Sequence, residues 1–114
     1  MEESILTSIK LNLGVTEDYT HFDQQILSAI NTAMNALTQL GVGPIDGFHI
    51  TDKTTTWAEY LGDDKRYDCV KEAITIRVRL LFDTPASNNM IEALKEQLKE
   101  IEWRLLSTIE HPEV

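Results

Sequence analysis

The sequence predicts an all-α fold: a four- to five-helix bundle-like domain interrupted by one long central loop. Two observations carry this reading. Apolar residues recur in steps of three and four through most of the 114 residues. Glycine or proline stands at the end of each such stretch, at Gly14, Gly41, Gly43, Gly62 and Pro85. Residues 43–56 break the pattern, with turn and β-branched residues but no helical period. The whole chain is expected to be one domain, with helices over 4–13, 20–40, 57–61, 64–83 and 89–110.

In the first helix, Ile5, Leu6, Ile9 and Leu13 share a face and Leu11 falls off it. Gly14 stands where a left-handed cap is expected. Residues 16–20 are a polar connector. Thr20 followed by Asp23 resembles a capping box, with Asp in place of the usual Glu or Gln, and opens the second helix. Its inner face holds Phe22, Ile26, Ala29, Ile30, Ala33, Met34, Leu37 and Leu40. Its outer face, including Gln24, Ser28, Asn31, Thr32, Asn35 and Thr38, is small and uncharged, where a solvated helix more often carries Lys and Glu. That face suits either solvent or a second copy of the chain.

Gly41 and Gly43 stop this helix and Pro44 prevents it from resuming. In the loop that follows, Phe48, Ile50 and the run Thr54, Thr55, Thr56 could support one short strand or an extended arm. A loop of this length usually has a task of its own. Phe48 and Ile50 are costly to leave in water, so the loop is expected to reach a partner, the alternative being a mobile surface loop. Trp57, Tyr60 and Leu61 then fit a single helical turn ended by Gly62.

Asp63 and Asp64 open the fourth helix, where acids complement the N-terminal dipole. Tyr67, Val70, Ala73, Ile74, Val78 and Leu81 form its inner stripe. Cys69, Ile76, Leu80 and Phe82 make it apolar nearly all round, which marks it as the central helix. Pro85 breaks it, and Asn89 with Glu92 is expected to cap the last helix. There Ile91, Leu94, Leu98, Ile101 and Leu105 form a narrow seam, expected to pack on the core. Trp103, Leu106 and Ile109 lie partly off that seam, and His111-Pro112 ends the helix.

The net charge of −9 argues against tight nucleic-acid binding, because an acidic surface repels phosphate. With one cysteine, Cys69, no intrachain disulfide can form. The opening Met1-Glu2-Glu3-Ser4 has neither the positive charge nor the apolar run of a secretory signal. No apolar run approaches the about 20 residues of a membrane span. A soluble protein made in a cytoplasm, with no membrane contact, is expected.

Chemistry is hard to find. His21, His49 and His111 are far apart, and none pairs with another ligand at metal-binding spacing. Asp63, Asp64 and Asp68 lack the alternating ligands and glycine of a calcium loop, and Lys65 and Arg66 interrupt them. Cys69 lies on an apolar helix with no histidine nearby in sequence, so it reads as a small hydrophobe. Gly41-Val42-Gly43 has no following lysine and hydroxyl to make a phosphate loop. Trp57 and Trp103 sit at helical positions, which favours core or interface anchors over ligand platforms. No Ser–His–Asp arrangement is evident. No enzyme activity, cofactor or metal is expected.

Certain phrases, in order, resemble a known family. They are Asn35-Ala36-Leu37-Thr38-Gln39-Leu40-Gly41-Val42-Gly43-Pro44, Gly47-Phe48-His49-Ile50, Thr56-Trp57, the stretch from Val70 through Arg77-Val78-Arg79-Leu80-Leu81-Phe82-Asp83, and Glu102-Trp103-Arg104-Leu105. Together they span roughly residues 20–106, and their order and spacing are more specific than any one of them. They are similar to the small helical head–tail connector, or adaptor, proteins of long-tailed bacteriophages. Thr84 before Pro85 departs from the second proline expected there.

The resemblance implies a structural virion protein of the head–tail neck, present in the host cytoplasm during assembly. Copies would form a ring beneath the portal protein, expected to be twelvefold in the virion. The ring would extend the DNA channel, let DNA pass without specific binding, and dock the next neck, stopper or tail protein. Phe48, Ile50 and Trp57 are then expected at a subunit or neck-protein interface. Trp103, Leu106 and Ile109 are expected to contact the portal. The alternative is a small acidic phage-encoded regulatory or DNA-mimic protein that binds a host partner.

Overall fold

A computed structural model describes residues 3–62, 66–82 and 87–110, with the backbone alone at 107–110. Its five helices are α1 (Ile5–Asn12), α2 (Asp23–Gln39), α3 (Trp57–Leu61), α4 (Tyr67–Phe82) and α5 (Asn88–Glu110). The fold is all-α, as the periodicity predicts. The expected acidic start at Asp63 and Asp64, the break at Pro85 and the end at His111-Pro112 lie outside the described residues.

The glycine stops of α1 and α2 work as read. Gly14 has φ +82°, its N–H donates to the Leu11 carbonyl, and the Val15 N–H donates to the Lys10 carbonyl. Gly41 repeats this at φ +85°, with Gly41 donating to Thr38 and Val42 to Leu37. In both cases the left-handed residue lets the chain turn back and satisfy the last carbonyls of the helix. Val42 and Leu37, both fully buried, close the second motif with an apolar contact.

Two helix starts differ from expectation. Thr20 does not cap α2: the N-cap is Phe22 and no side chain serves it. Asp23 instead places its carboxylate 2.8 Å from the Lys10 ammonium. Lys10 is buried, with its Nζ also donating to the Glu17 carbonyl at 3.1 Å. An otherwise unpaired buried cation outbids a local cap for the carboxylate. At α5, Ser87 accepts from the Met90 N–H, so Ser87 and not Asn89 is the cap and the helix starts one residue earlier. Thr56 caps α3, its hydroxyl accepting from the Glu59 N–H.

α4 lies at the centre, packed on α1, α2 and α5. Val70, Ala73, Ile74 and Val78 have no exposed surface, and Ile76 is nearly as deep. They meet Ile26, Ile30, Ala33, Met34 and Leu37 of α2 and Ile5 and Ile9 of α1 in one core. Leu81 corrects the inner stripe, since its side chain is exposed near the end of α4. On α5, Leu98, Ile101 and Leu105 are buried on the core, so the narrow seam packs within the chain. Leu11 is exposed, as its position off the α1 stripe requires.

The long loop makes no strand among the described residues. It returns as one isolated antiparallel bridge between Ser4 and Thr56. Ile5 N–H donates to Thr55 and Trp57 N–H to Glu3, so the chain's beginning is tied to the loop's end.

Candidate functional site

The loop is fastened at three places. At its start, Pro44 to Gly47 form a tight turn closed by the Gly47 N–H on the Pro44 carbonyl at 2.9 Å. In its middle, the Asn31 amide pairs with the Ile50 backbone. Asn31 Nδ2 donates to the Ile50 carbonyl and Oδ1 accepts from the Ile50 N–H, both at 2.8 Å. The side chain thus acts as a one-residue strand partner and satisfies both polar groups of a residue whose side chain is buried. Between these two, Phe48 stacks on Tyr60 with ring centres 4.8 Å apart, and Tyr60 packs on Gly43.

This placement corrects part of the expected interface. Ile50 and Trp57 are in the core, not on a surface. Trp57 is fully enclosed, donates its indole N–H to Ser8 Oγ at 3.0 Å and meets the Tyr67 ring edge-on at 5.5 Å. Phe48 is half-buried against Tyr60. Burying these groups removes the cost that made them look like contact residues, and the loop is a strap across α2 with exposed edges. Its exposed residues are 44–46, His49 and 51–54. With the outer face of α2 it bounds open grooves of mixed polarity, whose lining includes Ser28, Asn31, Asn35 and His49.

A second cluster ties the N-terminal segment to α4. Glu3 Oε1 accepts from the Tyr67 hydroxyl at 2.8 Å and from Lys71 Nζ at 3.0 Å. The Tyr67 hydroxyl first, and then Lys71, hold the Glu3 carboxyl below the usual range. Burial alone would lower Lys71, but Glu3 and Tyr67 outweigh it and raise the ammonium pKa. Burial and the Glu3 bond raise the Tyr67 phenol.

α5 presents the other notable surface. Trp103 is 68 % exposed and Leu106 39 %. Trp103 borders a shallow, mainly apolar recess with Ala93, Glu96, Gln97, Lys99 and Glu100. The Ile109 side chain lies outside the described residues. Trp103 and Leu106 therefore share a helix whose opposite side is committed to the core, as their positions off the seam imply.

Among the described residues no group of three or more His, Cys, Asp or Glu could hold a metal ion. Among the described residues no helix is long and apolar enough to cross a membrane. His21 packs edge-on to Phe22 at 4.7 Å, and Cys69 is a half-buried free thiol packed on the core.

The family described as phage connector protein matches residues 5–112. The chain belongs to that family. The match covers all five helices of this connector, including both helices that carry the phrases around Arg77 and Glu102. No curated protein and no solved structure matches the chain.

Proposed function

We propose that this connector is a structural, non-enzymatic protein of the virion neck, forming a ring beneath the portal protein. The ring extends the DNA channel and docks the next neck or tail protein. The observation that carries this reading is the family match over residues 5–112. The acidic character of the chain supports it, since carboxylates offer no cation to hold passing phosphates. DNA then slides through without specific binding.

The portal contact is assigned to the exposed side of α5 near its C-terminal end, with Trp103 and Leu106 as its anchors and Ile109 one further turn along. Large exposed apolar side chains at one end of a helix are the kind that dominate interfaces once covered. The test is deletion from Ser107 onward, combined with a separate Trp103→Ala variant. Both leave Leu98, Ile101 and Leu105 in place, so the fold should survive. Capsids from either mutant should be DNA-filled but leaky and carry no bound connector. Normal recovery of connector on those capsids rules out the α5 contact, and necks imaged without a connector ring in wild-type particles rule out the function.

A further inference from the structure

Ile45 is the most exposed large apolar residue described, at 94 %. It stands at the tip of the Pro44–Gly47 turn, which is closed by its own hydrogen bond and anchored at Gly43 and Phe48 against Tyr60. A side chain at the end of a flexible loop would have little shape to offer. This one is presented by a braced turn.

A matching hole lies elsewhere on the same chain. Leu13, Val15, Tyr19, Phe22 and Phe82 line an open, mainly apolar recess. Phe22 and Phe82 meet edge-to-face at 5.5 Å and form its wall. The hole is beside the start of α2 and the knob is just beyond its end. The 17 residues of α2 separate them by about 25 Å, so no copy can fill its own hole.

One charge beside each feature complements the other, on the α4 side of the recess; Glu17 and Asp18, between Val15 and Tyr19, make its opposite side acidic. Asp46 follows Ile45 and is exposed. Arg79 stands three residues before Phe82 on α4, a spacing that makes the two neighbours on the helix surface. Thr75, one turn earlier still, accepts from Asn12 Nδ2, so this side of α4 faces the end of α1 where Leu13 and Val15 begin. Arg79 is exposed and has no ion-pair partner among the described residues.

We propose that Ile45 of one copy of this chain inserts into the Leu13–Val15–Tyr19–Phe22–Phe82 recess of the next copy, with Asp46 set against that copy's Arg79. The contact joins unlike patches at opposite ends of α2. Such a heterologous contact builds a closed ring when its rotation divides a full turn, and a filament when it does not. The proposal rests on the connector reading, to which it adds the subunit contact.

Two full-length variants, Ile45→Cys and Val15→Cys, are mixed and oxidised, both as concentrated protein and on portal-bearing capsids. The unsubstituted chain reports the background from Cys69. The mixture should yield the Ile45→Cys–Val15→Cys pair, and neither variant alone should cross-link above background. In separate binding measurements, Ile45→Asp should weaken self-association by about tenfold or more. Asp46→Arg and Arg79→Asp should each weaken it by roughly threefold, and the double variant should regain the loss. Absence of the mixed cross-link in both settings overturns the contact, as does an Ile45→Cys self-pair of equal yield. If connector copies sit on the portal without that cross-link, the contact is wrong and the connector function stands. Failure of unsubstituted chain to bind the portal counts against the function itself.

Discussion

Arg77 of α4 holds Glu102 of α5 with two donors on one oxygen: both Nε, at 2.9 Å, and Nη2 donate to Oε2. The pair is partly buried, at 30 % and 23 % side-chain exposure. It joins two of the sequence phrases that carry the family resemblance, the one around Arg77 and the one around Glu102. α5 has α4 as its main neighbour in the fold, so this bond adds to the apolar seam in holding α5 with Trp103 facing outward.

Arg77→Met should therefore destabilise the chain by about 1–2 kcal/mol, the scale of a charged hydrogen bond that solvent still partly screens. Glu102→Gln should cost less, because the amide oxygen can still accept. A double-mutant cycle read by thermal unfolding gives the coupling directly. Coupling near zero would mean that apolar packing alone orients α5.

The strap across α2 depends on one amide. Asn31→Ala removes both bonds to the Ile50 backbone and should destabilise by about 1–3 kcal/mol. Hydrogen exchange at the Ile50 amide should accelerate far more than at Ile30 or Ile74, since the helices keep their own bonds. Equal acceleration throughout would show that the strap and core unfold together.

Asn31 also shows where the sequence stops being readable. On a helix wheel it is one more polar residue on the outer face of α2, and nothing in its spacing says that a loop will cover it. The inner stripes of α2, α4 and α5 were legible because burial imposes steps of three and four. The glycine stops were legible because φ above zero restricts residue choice. Ile50 and Trp57 were misread as contact residues because they sit in segments with little or no helical period. Whether such side chains face water depends on where the loop returns. Nothing in the sequence marks Lys10 as buried, and its approach to Asp23 accounts for the missing Thr20 cap. On the candidate surface, Trp103 and Leu106 were legible by elimination, since the seam of Leu98, Ile101 and Leu105 fixes which way α5 faces.

The Glu3 cluster has a pH signature. Its folded-state pKa lies below the ordinary value, so its contribution is present above the unfolded Glu pKa and is lost as pH falls through the folded one. Lys71 works in the opposite sense: raised in the fold, it contributes below its unfolded pKa and loses that contribution as pH rises through the folded value. Tyr67→Phe removes the largest cause of the Glu3 shift. A carboxyl-carbon NMR titration should then show the Glu3 pKa moving up towards its usual value, with Lys71 keeping part of the depression. An unchanged Glu3 titration would mean that the hydroxyl bond does not persist in solution.

Gly43 is where backbone and packing demands coincide. Its φ is +78°, and a Cβ built there would lie 2.5 Å from Tyr60 Cε1. Gly47, four residues on, has φ +94° and nothing within 4 Å of such a Cβ. Gly47→Ala should thus cost only the conformational penalty, about 1–2 kcal/mol. Gly43→Ala carries the same penalty plus displacement of a buried ring, and should cost about 2–4 kcal/mol. The Tyr60 ring also supports Phe48 and, through it, the turn that presents Ile45. Gly43→Ala should for that reason weaken self-association beyond what its loss of stability explains, whereas Gly47→Ala should do so less. Thermal unfolding of the two variants, each with and without Tyr60→Leu, separates the terms: the smaller side chain should relieve most of the excess at Gly43 and none at Gly47. Equal melting temperatures for the two alanine variants would show that the Tyr60 ring moves aside freely and does not brace the turn.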